Sequence, residues 1–231
     1  MTPQQNNQRI IGVLTLLSGL ISLGSMTVGL LAVDFNFDTF SNPVAILSNL
    51  TSNTALLIKW FMLTDMFGYY LLLLPILFYA HSRLASTTGW APLITSSGFA
   101  YILIGAIGAA ALSAAWPALM VSYQHAAPAD KELYKAAFLL SNDLVVKGIW
   151  NVLEVWLAGI WWIGLGLCTI QSRPLKIITI TLGAGCLLDG FGEAIGVPAV
   201  AETGLNIYLL LAIVWAIWIG IKMIRREYVF K

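Results

Sequence analysis

Six apolar stretches, near 10–33, 55–80, 90–121, 143–171, 174–200 and 204–224, leave this chain few ways to fold. Each is long enough to cross a hydrocarbon core, which takes about 20 residues of helix. In lipid no water satisfies a backbone N–H or C=O, so a lone spanning segment must bond within itself as a helix. Charged residues make up 10% of the chain and hydrophobic ones 59%, with a mean hydropathy of +0.84. A soluble domain carries roughly 25% charged residues. The expectation is an all-α polytopic membrane protein. It is a single six-helix bundle over residues 1–231, with the lipid bilayer as its first partner.

The first stretch is too long for the apolar region of a signal peptide, and no small-x-small site follows it cleanly, so it reads as a retained helix. Residues 34–54 form a polar connector holding Asp34, Asp38 and Pro43. Between the third and fourth stretches, Pro128-Ala129-Asp130 looks like a helix start. The 122–142 loop is therefore expected to hold an interfacial amphipathic turn or two.

Lysine and arginine set the orientation. With the N-terminus inside, Arg9, Arg83, Arg173, Lys176, Lys222, Arg225, Arg226 and Lys231 face inward. Lys59, Lys131, Lys135 and Lys147 face outward, joined there by Asp34, Asp38, Asp130, Glu132 and Glu202. Both termini are expected in the cytoplasm. Trp60, Trp90, Trp116 and Trp150 fall near the predicted interfaces, as an aromatic belt would.

Several function classes drop out. A net charge of +1 without a basic run argues against nucleic acid. Cys168 and Cys186 lie in apolar spans without a CxxC and read as small buried residues. His81 and His125 fall at opposite ends of the membrane, which argues against a bis-histidine haem. No HExxH, GxSxG, P-loop or GxGxxG motif is present, and neither a metal nor another cofactor is expected. Asn49-Leu50-Thr51 fits a glycosylation sequon, a common chance match.

The costly residues are the acids inside the spans: Asp65, Glu154, Asp189 and Glu193. A lone carboxylate in hydrocarbon is expensive, so these groups should face each other, water or a cation. Asp189 and Glu193 are spaced i,i+4 and share a face. On an α-helix Lys147, Asn151 and Glu154 share one too, with Asp143 a turn further out. Counted from the predicted ends, the four acids lie between the midplane and the outer surface, where three helices are expected to bring them to one cavity. For Lys147 alone, snorkelling to the outer interface is favoured over a role with the acids. Glu193 has a second reading, close to outer water.

Two short segments match: Leu63-Thr64-Asp65-Met66-Phe67-Gly68 and Leu187-Leu188-Asp189-Gly190-Phe191-Gly192. They fall in the second and fifth spans, which cross in opposite directions. That is the layout of a 3+3 inverted repeat with a midplane site. Gly19 and Gly24 recur at equal spacing as Gly159 and Gly164. A six-helix bundle without internal symmetry is the alternative. The run Gly105-Ala106-Ile107-Gly108-Ala109-Ala110-Ala111 suits close helix contact, as do Gly183, Gly185, Gly190, Gly192 and Gly196. The glycines of the fifth span have a second use, letting that helix bend or break. Ser18, Ser22 and Ser25 read as packing, or as a polar path.

Arg9-Ile10-Ile11-Gly12 opens the first span, and a proline-containing second span ends near Arg83-Leu84-Ala85. Gly166 precedes Ser172-Arg173-Pro174-Leu175, and Trp218-Ile219 is followed by Ile221 and Lys222. In these features the chain resembles the bacterial six-helix membrane proteins of the domain-of-unknown-function 4386 group. The resemblance covers nearly the whole chain and implies the bundle, but carries no activity or site residues.

The leading expectation is a bacterial inner-membrane protein that moves a small solute or cation, with proton coupling as one form. Asp65 and Asp189 would be paired midplane acids, Glu154 a proton or cation partner and Asn151 a polar liner. Crowded carboxylates in a low dielectric can carry protons, and Tyr69, Tyr70, Trp150 and Trp156 are near enough in sequence to help hold an amine. The alternative is a protein that binds or senses a lipid or lipophilic amine. A third reading is an intramembrane acid–base enzyme such as an isomerase, which would have to work without a mid-depth histidine. Oligomeric state is left open.

Overall fold

A computed structural model describes residues 3–36, 39, 42–227 and 229–230; Asp38 and Lys231 lie outside these. Six helices among them are long and apolar enough to cross a membrane: Asn6–Leu31, Thr54–Thr87, Ala91–His125, Pro128–Cys168, Arg173–Ile195 and Pro198–Ile224. A short helix, Pro43–Ser48, lies between the first two and is capped by the Asn42 side chain. Proline opens the third to sixth spans, at Pro92, Pro128, Pro174 and Pro198. Its missing N–H needs no partner there. Gly196 ends the fifth span at a φ of 69°, the left-handed conformation that favours glycine.

The 122–142 loop expected from sequence is a correction. The third span runs on to His125, only Ala126 and Ala127 intervene, and the fourth begins at Pro128. The amphipathic segment is helical and starts at the expected Pro128, but it is the N-terminal end of the fourth span rather than a separate surface turn. At about 1.5 Å per residue both helices exceed the roughly 30 Å of a hydrocarbon core. The two thus form a hairpin extending past it.

The spans pack in chain order around a ring, first on second through fifth on sixth, and the sixth closes on the first. Small residues permit the closure: a Cβ on Gly19 would lie 3.2 Å from that of Ala216, and one on Gly220 would meet the backbone of Leu16. The fifth span keeps a regular α-helix throughout, so its glycines serve contact. Gly183 lies against Trp162 and Ile163, and Gly192 against Ala201.

This ring order gives the inverted repeat no geometric support. A two-fold axis in the membrane plane reverses the sense of a ring seen from above, whereas stepping each span three places along the ring preserves it. Local contacts agree. Gly68 packs on Ser22 of the first span, but Gly192 packs on the sixth span, not on the fourth as the repeat requires.

Two apolar clusters fill the bundle. One centres on Trp161, Trp162, Trp215 and Tyr101, with ring centroids 4.1 Å apart for Trp161–Trp162 and 4.5 Å for Trp162–Trp215. The other gathers Ile46, Leu47, Ile58, Met62, Trp116 and Phe138 under the short helix and the hairpin. The sequence places Asp65 and Glu154 at their junction, since Met62 belongs to the second cluster and Tyr69, Tyr70 and Val155 to the first.

A buried carboxylate site at two helix irregularities

The second span is not one regular helix. Its α-helix ends at Asp65, a π-helical turn covers Met66–Tyr70, a 3-10 turn covers Leu71–Leu73, and α-helix resumes at Leu74. The sequence explains the break. Pro75 has no N–H to give, and its ring crowds the carbonyl of Leu71 four residues back. Where regular bonding lapses, backbone carbonyls need other donors, and in a membrane only neighbouring helices can supply them. Ser18 of the first span donates to Gly68 O, Tyr101 of the third donates to Tyr69 O at 3.1 Å, and Ser25 donates to Phe61 O at 3.0 Å. The serine stripe is thus a packing and bonding seam.

The irregularity swings Tyr70 inward over Gly105, whose missing side chain makes room for the ring. Gly108 does the same for Trp150, and Trp150 Nε1 donates to Gly105 O at 3.3 Å. The small-residue run of the third span accommodates aromatic rings here rather than another backbone.

The fourth span carries a longer irregularity, π-helical over Asp143–Glu154. An i→i+5 ladder turns each residue through less than the roughly 100° of an α-helix. A residue seven positions on therefore falls short of two full turns. This separates Lys147 from Glu154, which α-helical spacing puts on one face. Lys147 has its side chain 58% exposed and pairs with Asp143 at 2.8 Å, while Glu154 is 1% exposed. Lys147 is not brought to the acids. Asn151 is half-buried and makes no hydrogen bond to a described residue.

Glu154 is the centre of what does converge. Tyr70 of the second span donates to Oε2 at 3.2 Å, and Tyr208 of the sixth reaches Oε1 at a long 3.5 Å. The Tyr208 hydroxyl lies 3.0 Å from that of Tyr101. Asp65 and Asp189 are both buried and within electrostatic range of Glu154. Neither aspartate accepts a hydrogen bond from a described residue, and both carboxyl oxygens of Asp189 are enclosed without a partner. Glu154, rather than either aspartate, is the member coupled to both others. Glu193 interacts with Asp189 from a half-buried position, and Trp156 is 40% exposed.

Tyr101 and Tyr208 were not singled out from sequence. The signal available was a tyrosine hydroxyl placed mid-span, where it needs a buried partner. No group of three His, Cys, Asp or Glu among the described residues is arranged to hold a metal. Two cavities among the described residues are not lined by the acids. A void of about 10 Å³ lies between Ser18, Ser22, Tyr69 and Trp162, room for one water at most. A wider groove opens between the first and second spans. Compared with family models, curated proteins and solved structures, the chain shows no significant match.

Proposed function

We propose that this protein moves a small solute or cation across the membrane, driven by protons that bind and leave at Glu154. The observation that carries the reading is the grip of Tyr70 and Tyr208 on a fully buried carboxyl. Asp65 and Asp189 flank it within electrostatic range. A hydroxyl has one proton and can both donate and accept. With Glu154 ionised, Tyr101 donates to Tyr208 and Tyr208 donates to Glu154. With Glu154 protonated, the carboxyl donates to Tyr208, Tyr208 to Tyr101, and Tyr101 to the Tyr69 carbonyl. The charge on Glu154 thereby selects the direction of a hydrogen-bond chain that ends in the irregular turn of the second span. π-Helical turns recur at functional sites, and here both acid-bearing breaks meet.

The interior acids are closed off, so transport requires the second and fourth spans to change register at these breaks. The excess of arginine on one side supports termini in the cytoplasm. A bacterial source and membership of the domain-of-unknown-function 4386 group are proposed on the resembling residues alone. Binding of a lipophilic amine at the acids gains no support from the groove or the small void, because neither is lined by them. An isomerase site would need a substrate cavity there too.

The test uses purified protein in liposomes with a trapped pH dye and an imposed proton gradient, screened against cations and small solutes. Glu154→Gln is expected to abolish solute-dependent proton flux while the protein still inserts and purifies. Flux equal to wild type in Glu154→Gln rejects the assignment.

A further inference from the structure

The groove between the first and second spans lies away from the acids and stands independently of the proton reading. It measures about 680 Å³, within the range of small-molecule sites. Its lining is graded. Asn7, Ser82, Arg83 and Ser86 form a polar end, and Ile11 and Phe78 belong to an apolar stretch that continues from it. Phe78 is 56% exposed, so the apolar side opens to the lipid rather than into the bundle. Arg83 lies four residues before Thr87, the end of its span, at the depth of lipid headgroups.

Arg83 pairs with no carboxylate among the described residues. Its guanidinium instead rests 5.7 Å from the centroid of the Tyr79 ring, which also lines the groove. This differs from Lys222, which is neutralised by Glu227. An arginine held against a ring keeps its fork of donors free for phosphate oxygens. The two serines have a different capacity. Ser82 donates to Tyr79 O at 2.7 Å and Ser86 to Arg83 O at 2.8 Å, which leaves their lone pairs to accept. The polar end thus offers one cation for a phosphate and hydroxyl acceptors for groups that donate.

We propose that this groove binds an anionic phospholipid with a hydroxyl-bearing headgroup, from the leaflet on the arginine-rich side. Arg83 takes the phosphate, Ser82 and Ser86 accept from headgroup hydroxyls, and an acyl chain lies along Ile11 and Phe78.

The experiment is native mass spectrometry of the full chain in detergent. Phosphatidylglycerol, phosphatidylcholine and inorganic phosphate are each added separately and then in competition. Wild type is expected to retain phosphatidylglycerol over phosphatidylcholine by roughly fivefold or more, the effect of about one basic side chain at a membrane surface. Arg83→Gln is expected to lose that preference and Arg83→Lys to keep part of it. Ser82→Trp, at an exposed position, fills the groove with Arg83 intact and should also lose retention. It decides the matter if Arg83→Gln does not fold. Equal retention of the two lipids, or unchanged preference in Ser82→Trp, overturns the proposal. Inorganic phosphate competing at equal concentration overturns it too, by making the site one for free phosphate.

Discussion

A carboxyl in a dry interior needs a partner, and the three buried acids here are provided for unequally. Glu154 is reached by two tyrosine hydroxyls, whereas Asp65 and Asp189 accept none from described residues. An unpaired polar group in such a place costs about 1–3 kcal/mol on mutational scales, and a charge costs more. Asp189→Asn, of nearly the same shape, removes the charge. At alkaline pH it is expected to stabilise the detergent-solubilised protein by about 1 kcal/mol or more, a rise of roughly 2–4 °C in melting temperature. A fall would mean that the Asp189 carboxyl has a partner in the membrane. The acids were legible in the sequence because charge stands out in an apolar span. Tyr70 was named beside them, for its ring rather than its hydroxyl, but Tyr101 and Tyr208 were not, since a tyrosine mid-span is equally consistent with an interface or a core. Lys147 is exposed beside Asp143, as its snorkelling reading has it; grouping it with the acids assumed α-helical rotation through Glu154.

That rotation is decided at the scale of the element. Gly68 and Pro75 mark the second span as breakable, and the break, from Met66 to Leu73, contains the glycine and stops just short of the proline. No proline marks the π-helical stretch Asp143–Glu154, so periodicity alone could not reveal it. The fifth span was the reverse case: rich in glycine, read as either bending or packing, and an uninterrupted α-helix in the structure. Glycine serves both a break and a contact, and only the neighbouring helix decides between them. Two variants separate these effects in the second span. Ser18→Ala leaves the Gly68 carbonyl without its donor and should cost about 1–3 kcal/mol in thermal unfolding, the penalty of an orphaned buried acceptor. Pro75→Ala restores an N–H and relieves the crowding, so it should leave thermal stability undiminished while reducing proton flux. Full flux with a regularised helix would show that the irregular turn is not needed for function.

Across the whole molecule, six membrane-long helices were legible from hydropathy alone, since lipid leaves a spanning segment no other way to bond. Ring closure was not, because it depends on which small residues face each other. Gly19 with Ala216 forms such a contact, and a side chain at Gly19 would also meet Ile217 at 2.7 Å. Gly19→Leu is therefore expected to push the first and sixth spans apart and to cost about 1–3 kcal/mol in thermal unfolding, the penalty of overpacking. Unchanged unfolding of Gly19→Leu would open the ring. The two x-Phe-Gly acids fit this ring without a repeat: each motif brings its glycine against a terminal span, Gly68 on the first and Gly192 on the sixth. The account joins these scales at Glu154, where the second, fourth and sixth spans meet. The most direct measurement is the infrared difference spectrum of membrane-embedded protein between acid and alkaline buffer, read at the C=O stretch of a protonated carboxyl. Wild type should show a carboxyl band that appears on acidification and is missing in Glu154→Gln, with a matching tyrosine signal lost in Tyr208→Phe. Identical spectra for wild type and Glu154→Gln would mean that Glu154 does not exchange a proton and would contradict the account.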